Sequence, residues 1–117
     1  MAIIRITNLK LRTIIGINYW EREKKQDIIL NITIAFDAGR SSQSDNIKDT
    51  IDYKSVTKHI IKEVEASKFY LLEKLCKTVL DIIMTHKRVK AARVRIDKPG
   101  ALRFADSVSV QLTQKKR

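Results

Sequence analysis

The sequence predicts one α+β domain over residues 1–117, with elements in the order β-β-α-α-β-β, four strands in an antiparallel sheet, and two helices on one face. Apolar and polar residues alternate near both ends of the chain, which is the period of a strand. In the middle, apolar residues recur every three to four positions, which is the period of a helix. Only one proline and three glycines interrupt the chain, so we expect long elements with few connections.

The first two strands are expected before residue 37. Residues 3–15 are rich in isoleucine and leucine, and their alternation changes phase near Asn8, where we expect a kink. The alternation is more regular in the second segment, whose apolar side is Ile28, Leu30, Ile32, Ile34 and Phe36. This pattern predicts a strand from Ile28 to Phe36 that is buried on one face, as in an antiparallel sheet.

Two amphipathic helices follow. The first runs from about Tyr53 to Ala66, with the apolar stripe Val56, Ile60, Ile61 and Val64. The second runs from about Leu71 to His86, with the stripe Leu72, Leu75, Val79, Ile82 and Ile83.

The last two strands alternate in the same way as the second. Their apolar sides are Ala92, Val94 and Ile96 in one, and Val108, Val110 and Leu112 in the other. Because two helices cover only one face of a four-stranded sheet, we expect the other face and the sheet edges to meet solvent or a neighbouring subunit.

Composition limits the partners. The chain has 24 lysines and arginines against 13 aspartates and glutamates, a net charge of +11, which suits nucleic acid, an acidic membrane surface or a polyanionic small molecule. No stretch approaches 18 apolar residues and the start lacks a signal-peptide pattern, so we expect a cytoplasmic protein without membrane attachment. One cysteine excludes an internal disulfide, and Cys76, His59 and His86 are too few for the usual zinc site.

The basic residues favour a solvated surface over a nucleic-acid interface. They are spread through every element, aromatic residues are few, and no zinc-finger, RNA-recognition or G-x-x-G motif is present. A basic nucleic-acid-binding module therefore remains a remote alternative. Nucleophilic catalysis also has little support, because Cys76 suits an apolar filler and the two histidines suit surface or helix-end positions.

Three residues are better placed for chemistry. Glu73 lies in the first turn of the second helix, where it either complements the helix dipole or joins the free backbone N–H groups in binding a flat heterocycle. Lys98 lies in the turn between the last two strands, either solvated or held over a pocket by Pro99 and Gly100. Glu21 lies in a polar loop, where a solvated acid is the default. Each signal is weak alone.

Together with their surroundings, these residues resemble the family of dihydroneopterin aldolases and dihydroneopterin triphosphate 2'-epimerases over essentially the whole chain. The resemblance is carried by LRTIIGI at 11–17, QDI at 26–28, DNI at 45–47, DY at 52–53, FYLLEKL at 69–75 and DKPGALRFADSVS at 97–109. The pair at 12–13 and the stretch at 101–109 are most similar to the epimerase branch, whereas Trp20-Glu21 and the KPGA turn also resemble some bacterial aldolases.

The resemblance implies a tunnelling fold, in which four subunits join their sheets into a barrel and two barrels stack into a homo-octamer. It implies active sites between adjacent subunits and chemistry on a reduced pterin without a metal or another cofactor. The catalytic residues it implies are Lys98, Glu21 and, from the neighbouring subunit, Tyr53. The substrate-binding residues are Glu73, Leu72, Ile51, Gln26, Arg12 and Arg103, of which we assign the two arginines to phosphate.

The implied reaction converts 7,8-dihydroneopterin triphosphate to 7,8-dihydromonapterin triphosphate by retro-aldol and aldol steps at C2'. The alternative is the aldolase reaction of folate biosynthesis, which releases 6-hydroxymethyl-7,8-dihydropterin and glycolaldehyde.

Overall fold

A computed structural model describes all 117 residues and confirms the predicted α+β fold. The strands and helices, in chain order, are β1 (Ala2–Thr13), β2 (Gln26–Phe36), α1 (Ser41–Ser44), α2 (Tyr53–Glu65), α3 (Leu72–Met84), β3 (Val89–Pro99) and β4 (Ser107–Lys115). Short 3-10 helices at Tyr19–Arg22 and Ile47–Asp49 complete the structure.

The four strands form one antiparallel sheet in the order β1-β2-β3-β4, so each strand pairs with its sequence neighbour. The helices α2 and α3 lie in the connection from β2 to β3 and pack on one face. The predicted apolar side of β2 is buried there, with Ile28, Leu30 and Ile34 all completely inaccessible to solvent. These side chains and the buried stripes of α2 and α3 make a single core.

The kink expected near Asn8 is a β-bulge. The register between β1 and β2 shifts between Ile6 and Leu9, and Asn8 has a φ of +53°. The Asn8 backbone N–H donates to the side chain of Asn31 at 3.0 Å, and the Asn31 amide donates back to Asn8 at 3.2 Å. Ile6 and Leu9 are three residues apart, so in a regular strand their side chains would point to opposite faces. The extra residue of the bulge allows both to pack against the core.

Both helices turn the predicted stripes towards the core, with Ile61 and Leu72 only partly buried. The positions of the single cysteine and the two histidines are also well defined. Cys76 is completely buried in α3, its thiol donates to the Val94 carbonyl at 3.1 Å, and burial raises the thiol pKa, as expected of an apolar filler. His59 is exposed on α2 near Glu63, and His86 follows the end of α3, so neither histidine has the surroundings of a general base.

Several boundaries differ from the prediction. The strand β1 ends at Thr13 rather than residue 15, because the chain turns away through Gly16, whose φ is +134°. Strand β4 continues to Lys115, since pairing with Ala91 needs only backbone groups and no apolar side chain. The helix α1 and the two 3-10 helices were not predicted, because segments of three or four residues carry no periodic pattern.

The sheet face opposite the helices is uncovered, as the helix count predicts, and it is also basic, which was not predicted. Cross-strand pairs place Arg5, Lys10, Arg12, Arg93, Arg95 and Lys115 on this face, against only the carboxylates Asp27 and Asp97. Both outer strands, β1 and β4, have one edge without a partner in the chain. No helix is both long and apolar enough to cross a bilayer.

Candidate active site

The connection from β1 to β2 folds the Glu21 side chain back over Gly16. The 3-10 helix Tyr19–Arg22 begins after Asn18, and the Glu21 backbone N–H donates to the Asn18 carbonyl at 2.9 Å. A Cβ atom at position 16 would overlap the Glu21 carboxylate, and φ at this position strongly disfavours other residues. The backbone angle therefore favours glycine here, and any larger residue would also displace the Glu21 carboxylate.

The central feature of the candidate site is an ion pair between Glu21 and Lys98, which lie 77 residues apart in the sequence. Their side chains are 11% and 12% exposed, so the pair is largely removed from water. Gln26 donates from its amide at 3.2 Å to Oε2 of Glu21, the same carboxylate oxygen that Lys98 contacts, and to the Ile15 carbonyl at 2.8 Å. The structure thus brings together three of the residues selected from the sequence.

Four donors satisfy the Glu21 carboxylate. Besides Lys98 and Gln26, the backbone N–H and the side-chain amide of Asn18 donate to it at 3.2 and 2.8 Å. Burial raises the pKa of this carboxyl group, but the hydrogen bonds from Lys98, Gln26 and Asn18 outweigh it and lower the pKa from 4.5 to about 2. Glu21 is consequently ionised at neutral pH and is a weak base.

Lys98 is held at the end of β3 by contacts on the opposite side of that strand. The preceding residue, Asp97, accepts hydrogen bonds from Arg95 at 2.8 Å and from the Ser107 hydroxyl at 2.7 Å. The hydrogen bond from Arg95 is the main cause that lowers the pKa of Asp97. Since Ser107 begins β4, this network joins the two ends of the turn that follows Lys98.

The first turn of α3 presents Glu73 to solvent. Glu73 forms no ion pair or side-chain hydrogen bond within the chain, and no side chain caps the helix at Leu71. The first backbone N–H groups of a helix have no partner within it, so a free carboxylate and free donors occur together here. Leu72 is half-buried against the core beside Glu73. This arrangement has the donor and acceptor pair expected from the sequence.

The segment before α3 is attached directly to the β1–β2 connection. The Thr13 hydroxyl is completely buried and donates to the Ser67 carbonyl at 2.9 Å. The Gly16 N–H donates to the Phe69 carbonyl at 3.3 Å. The Arg22 guanidinium also binds this segment, which sequence reasoning missed because nothing in the residue pattern separates Arg22 from the other basic residues.

The structure does not bring Tyr53 and Ile51 to Glu21 and Lys98. They line a cleft of about 320 Å³ with Ile4, Arg5, Ile6 and Phe36, residues near the start of β1 and the end of β2. Glu21 and Lys98 lie at the opposite end of these strands, near Thr13 and Gln26. Tyr53 is 54% exposed, so its side chain is available to a second chain.

The two arginines assigned to phosphate are both on the surface. Arg12 lies on the uncovered sheet face, paired with Asp27 at 3.0 Å and bonded to the Lys25 carbonyl at 3.1 Å. Arg103 lies in the exposed β3–β4 turn, with its guanidinium 5.5 Å from the centre of the Phe104 ring. Neither arginine contacts the Glu21–Lys98 pair directly.

Chemically, the site offers an oriented ammonium group, and the nearby first turn of α3 has a free carboxylate and free backbone N–H groups. The Lys98 ammonium uses one of its three N–H groups on Glu21, which leaves donors free for a hydroxyl or ring nitrogen of a bound molecule. The chain contains no group of three or more His, Cys, Asp or Glu residues placed to bind a metal ion. Such a site is suited to proton transfer and electrostatic stabilisation.

The comparisons with known proteins agree with this arrangement. The family model of dihydroneopterin aldolase (FolB) matches residues 4–113. The chain is 52% identical over 112 residues to the dihydroneopterin triphosphate 2'-epimerase of Escherichia coli, covering 96% of this chain and 93% of that protein. It is 44% identical to the corresponding epimerase of Pseudomonas aeruginosa, covering 96% and 91%.

Among solved structures, the Escherichia coli dihydroneopterin aldolase in complex with neopterin superposes with a TM-score of 0.92 at 27% identity, over 97% of this chain and 99% of that one. Both the sequence match and the fold therefore extend over nearly the whole length of the chain. The chain belongs to the dihydroneopterin aldolase family.

Proposed function

We propose that this chain is a dihydroneopterin triphosphate 2'-epimerase, which converts 7,8-dihydroneopterin triphosphate to 7,8-dihydromonapterin triphosphate. The Glu21–Lys98 pair beside the open start of α3 is the observation that carries the reaction class. The choice of epimerase over aldolase is supported by sequence, since identity is 52% to the epimerase of Escherichia coli and 28% to the dihydroneopterin aldolase of the same organism.

The reaction needs no electron sink from the protein, because the imine of the reduced pterin ring supplies one. Loss of the 2'-hydroxyl proton allows the C1'–C2' bond to break. The electron pair of that bond passes through C1' into the ring imine, whose nitrogen takes up a proton to give an enamine. The aldehyde fragment, still carrying the triphosphate, turns over and is re-added at its other face. The proton lost in cleavage is regained on re-addition, and C2' is inverted.

We assign proton transfer and charge stabilisation at C2' to Lys98 and to Tyr53 of a neighbouring subunit. Glu21, with a pKa of about 2, stays ionised and holds the Lys98 ammonium in one direction. Because four donors already saturate its carboxylate, Glu21 contacts a substrate hydroxyl only by giving up one of them. Gln26 fixes Glu21 from the side of β2.

The pterin ring is assigned to the start of α3. The Glu73 carboxylate is suited to accept from the ring N–H and the exocyclic amino group, while a free backbone N–H of the first turn donates to the ring carbonyl. Leu72 and Ile51 of the neighbouring subunit would pack against the ring. Arg12 and Arg103 carry the exposed positive charge that we assign to the triphosphate.

The proposal includes an octamer of two stacked tetramers with active sites between subunits. Three observations support it: the unpartnered edges of β1 and β4, the uncovered sheet face, and the position of Tyr53 far from Lys98 in one chain. The exposed Ile47 and Tyr53 beside the apolar cleft at β1 suit contact with a second copy.

One chromatographic experiment tests the reaction. The purified protein is incubated with 7,8-dihydroneopterin triphosphate and, separately, with 7,8-dihydroneopterin, and the products are resolved. We expect dihydromonapterin triphosphate with little glycolaldehyde. Efficient release of glycolaldehyde and 6-hydroxymethyl-7,8-dihydropterin from the dephosphorylated substrate would instead make the protein an aldolase. No turnover of either substrate, with strongly salt-dependent binding of RNA or DNA, would favour the nucleic-acid module.

A further inference from the structure

Arg22 makes more contacts than any other basic side chain near the candidate site. Its Nη1 donates to the Gly16 carbonyl at 3.1 Å and to the Phe69 carbonyl at 2.9 Å, and its Nη2 donates to the Lys68 carbonyl. The guanidinium carbon also lies 4.0 Å from the centre of the Tyr70 ring. One planar group therefore contacts both the β1–β2 connection and the segment that leads into α3.

These contacts join the two parts of the site. On one side, Arg22 directly follows Glu21, and its bond to Gly16 reaches the residue over which the Glu21 carboxylate folds. On the other side, Lys68 and Phe69 lie just before the turn of α3 that carries Glu73. Few other polar links cross this boundary: the Gly16–Phe69 backbone bond and the buried contact of Thr13 with Ser67.

We propose that Arg22 is a positioning residue that makes the Glu21 loop and the start of α3 move as one unit, so that binding of a pterin at α3 orders the Glu21–Lys98 pair. The inference rests on the proposed function for the identity of the ligand. Arg22 acts through Glu21 and through the segment 68–70, and it is not itself in contact with the reacting atoms.

Arginine is the residue type that this position requires. The arginine guanidinium is rigid and planar and has five N–H donors, so it can donate to three carbonyl oxygens at once while its flat face stacks on Tyr70. A lysine has one nitrogen and no flat face, so it can keep the charge but not this set of contacts. Tyr70 is 62% exposed, so it contributes to Arg22 orientation rather than to the core.

A purely structural role predicts different behaviour. Of the residues that Arg22 contacts, only Phe69 packs against the buried apolar cluster, and Arg22 bonds to its backbone carbonyl rather than its ring. Replacing Arg22 should therefore leave the global fold and its assembly intact while uncoupling the two segments. A residue needed only for stability would instead lower the unfolding temperature without changing how ligand binding spreads through the site.

The test is hydrogen exchange of the full-length protein with and without neopterin, measured on wild type, Arg22→Gln, Arg22→Lys and Tyr70→Leu. Arg40→Gln is the control for the loss of one arginine charge, because Arg40 is exposed near α1 and its side chain makes no hydrogen bond or ion pair. In wild type and in the control, neopterin should slow exchange in both residues 68–75 and residues 16–22.

In Arg22→Gln we expect neopterin still to protect residues 68–75, but to lose its effect on residues 16–22. Turnover should fall about 10- to 100-fold, with a smaller change in KM, and Arg22→Lys should recover only part of it. Tyr70→Leu should lie between the control and Arg22→Gln.

Arg22→Gln with wild-type coupling and wild-type kcat would overturn the inference. If Arg22→Gln loses assembly or secondary structure, the same hydrogen-exchange measurement on Arg22→Lys and Tyr70→Leu tests the inference instead. Wild-type coupling between the two segments in both of these variants would overturn the inference. Failure of wild type to bind neopterin at all would count against the proposed function instead.

Discussion

A shared active site makes a quantitative prediction for mixed oligomers of Lys98→Ala and Tyr53→Ala chains. Within one chain, Tyr53 lies beside Ile6 of β1, whereas the strand register places Lys98 level with Leu11 and two strands away in β3. The five positions from Ile6 to Leu11 span about 16 Å at ~3.3 Å per residue, and the two strand spacings add about 10 Å across the sheet. The resulting separation of roughly 19 Å exceeds what the two side chains reach together. Under the proposed function, each site therefore takes Lys98 from one subunit and Tyr53 from another.

Each variant alone should turn over ~10²- to 10⁴-fold more slowly than wild type, the range expected when a group involved in general acid–base catalysis is removed. If both chains are co-expressed in equal amounts and assemble at random, a site has an intact Lys98 with probability one half. It has an intact Tyr53 from the neighbour with the same probability. One quarter of the sites then contain both residues, so about 25% of wild-type activity per site should return.

The assay uses chains with two different affinity tags, so that mixed oligomers are isolated before turnover is measured by chromatography. Separately purified variants mixed just before the assay are the matched control and should stay at background. Mixed oligomers that show no gain over either variant would refute the reasoning, because they would place both residues in one chain's site. A stable monomer in sedimentation would refute it independently.

Three further predictions concern the residues of one chain. Glu73→Gln should weaken neopterin binding about 10- to 100-fold in calorimetry while changing kcat less, since a charge-assisted hydrogen bond is lost; unchanged affinity would remove Glu73 from the pterin site. Gly16→Ala should lower kcat at least as much as Glu21→Gln, because its Cβ displaces the Glu21 carboxylate; normal kcat would contradict this. The lowered pKa of Glu21 should stabilise the fold by about 3 kcal/mol at neutral pH. This contribution is present above pH 4.5 and is lost as the pH falls towards 2, so the difference in urea stability between wild type and Glu21→Gln should shrink from pH 7 to pH 3. A constant difference would disprove the assignment.

The fold was predictable because its elements are amphipathic. The strand containing Ile28, Leu30 and Ile34 meets the core on one side only, so its period of two is visible in the residue types. Even the bulge at Asn8 was visible, because the extra residue shifts the phase of the alternation. The end of β1 was not, since Ile14 and Ile15 continue an apolar run after the backbone has left the sheet.

The candidate site was predictable only as a set of residue types. Glu21, Gln26 and Lys98 were selected through their motifs, yet nothing in a linear sequence indicates that side chains 77 residues apart form an ion pair. The low pKa of Glu21 depends on donors from three separate segments, and no local pattern contains them. Arg22 escaped notice for the same reason, since its partners are backbone carbonyls that any residues could supply.

The sequence by itself determined the order of the elements, the face that each one buries and the candidates for chemistry, because hydrophobic periodicity and residue type are local properties. Tertiary structure decided which of these candidates meet. It placed Lys98 against Glu21 and put Tyr53 at the other end of the sheet, because the strands are long and antiparallel pairing fixes which ends lie together. Proximity is a property of the folded chain, and it brings Lys98, Glu21 and Arg22 together at one candidate site.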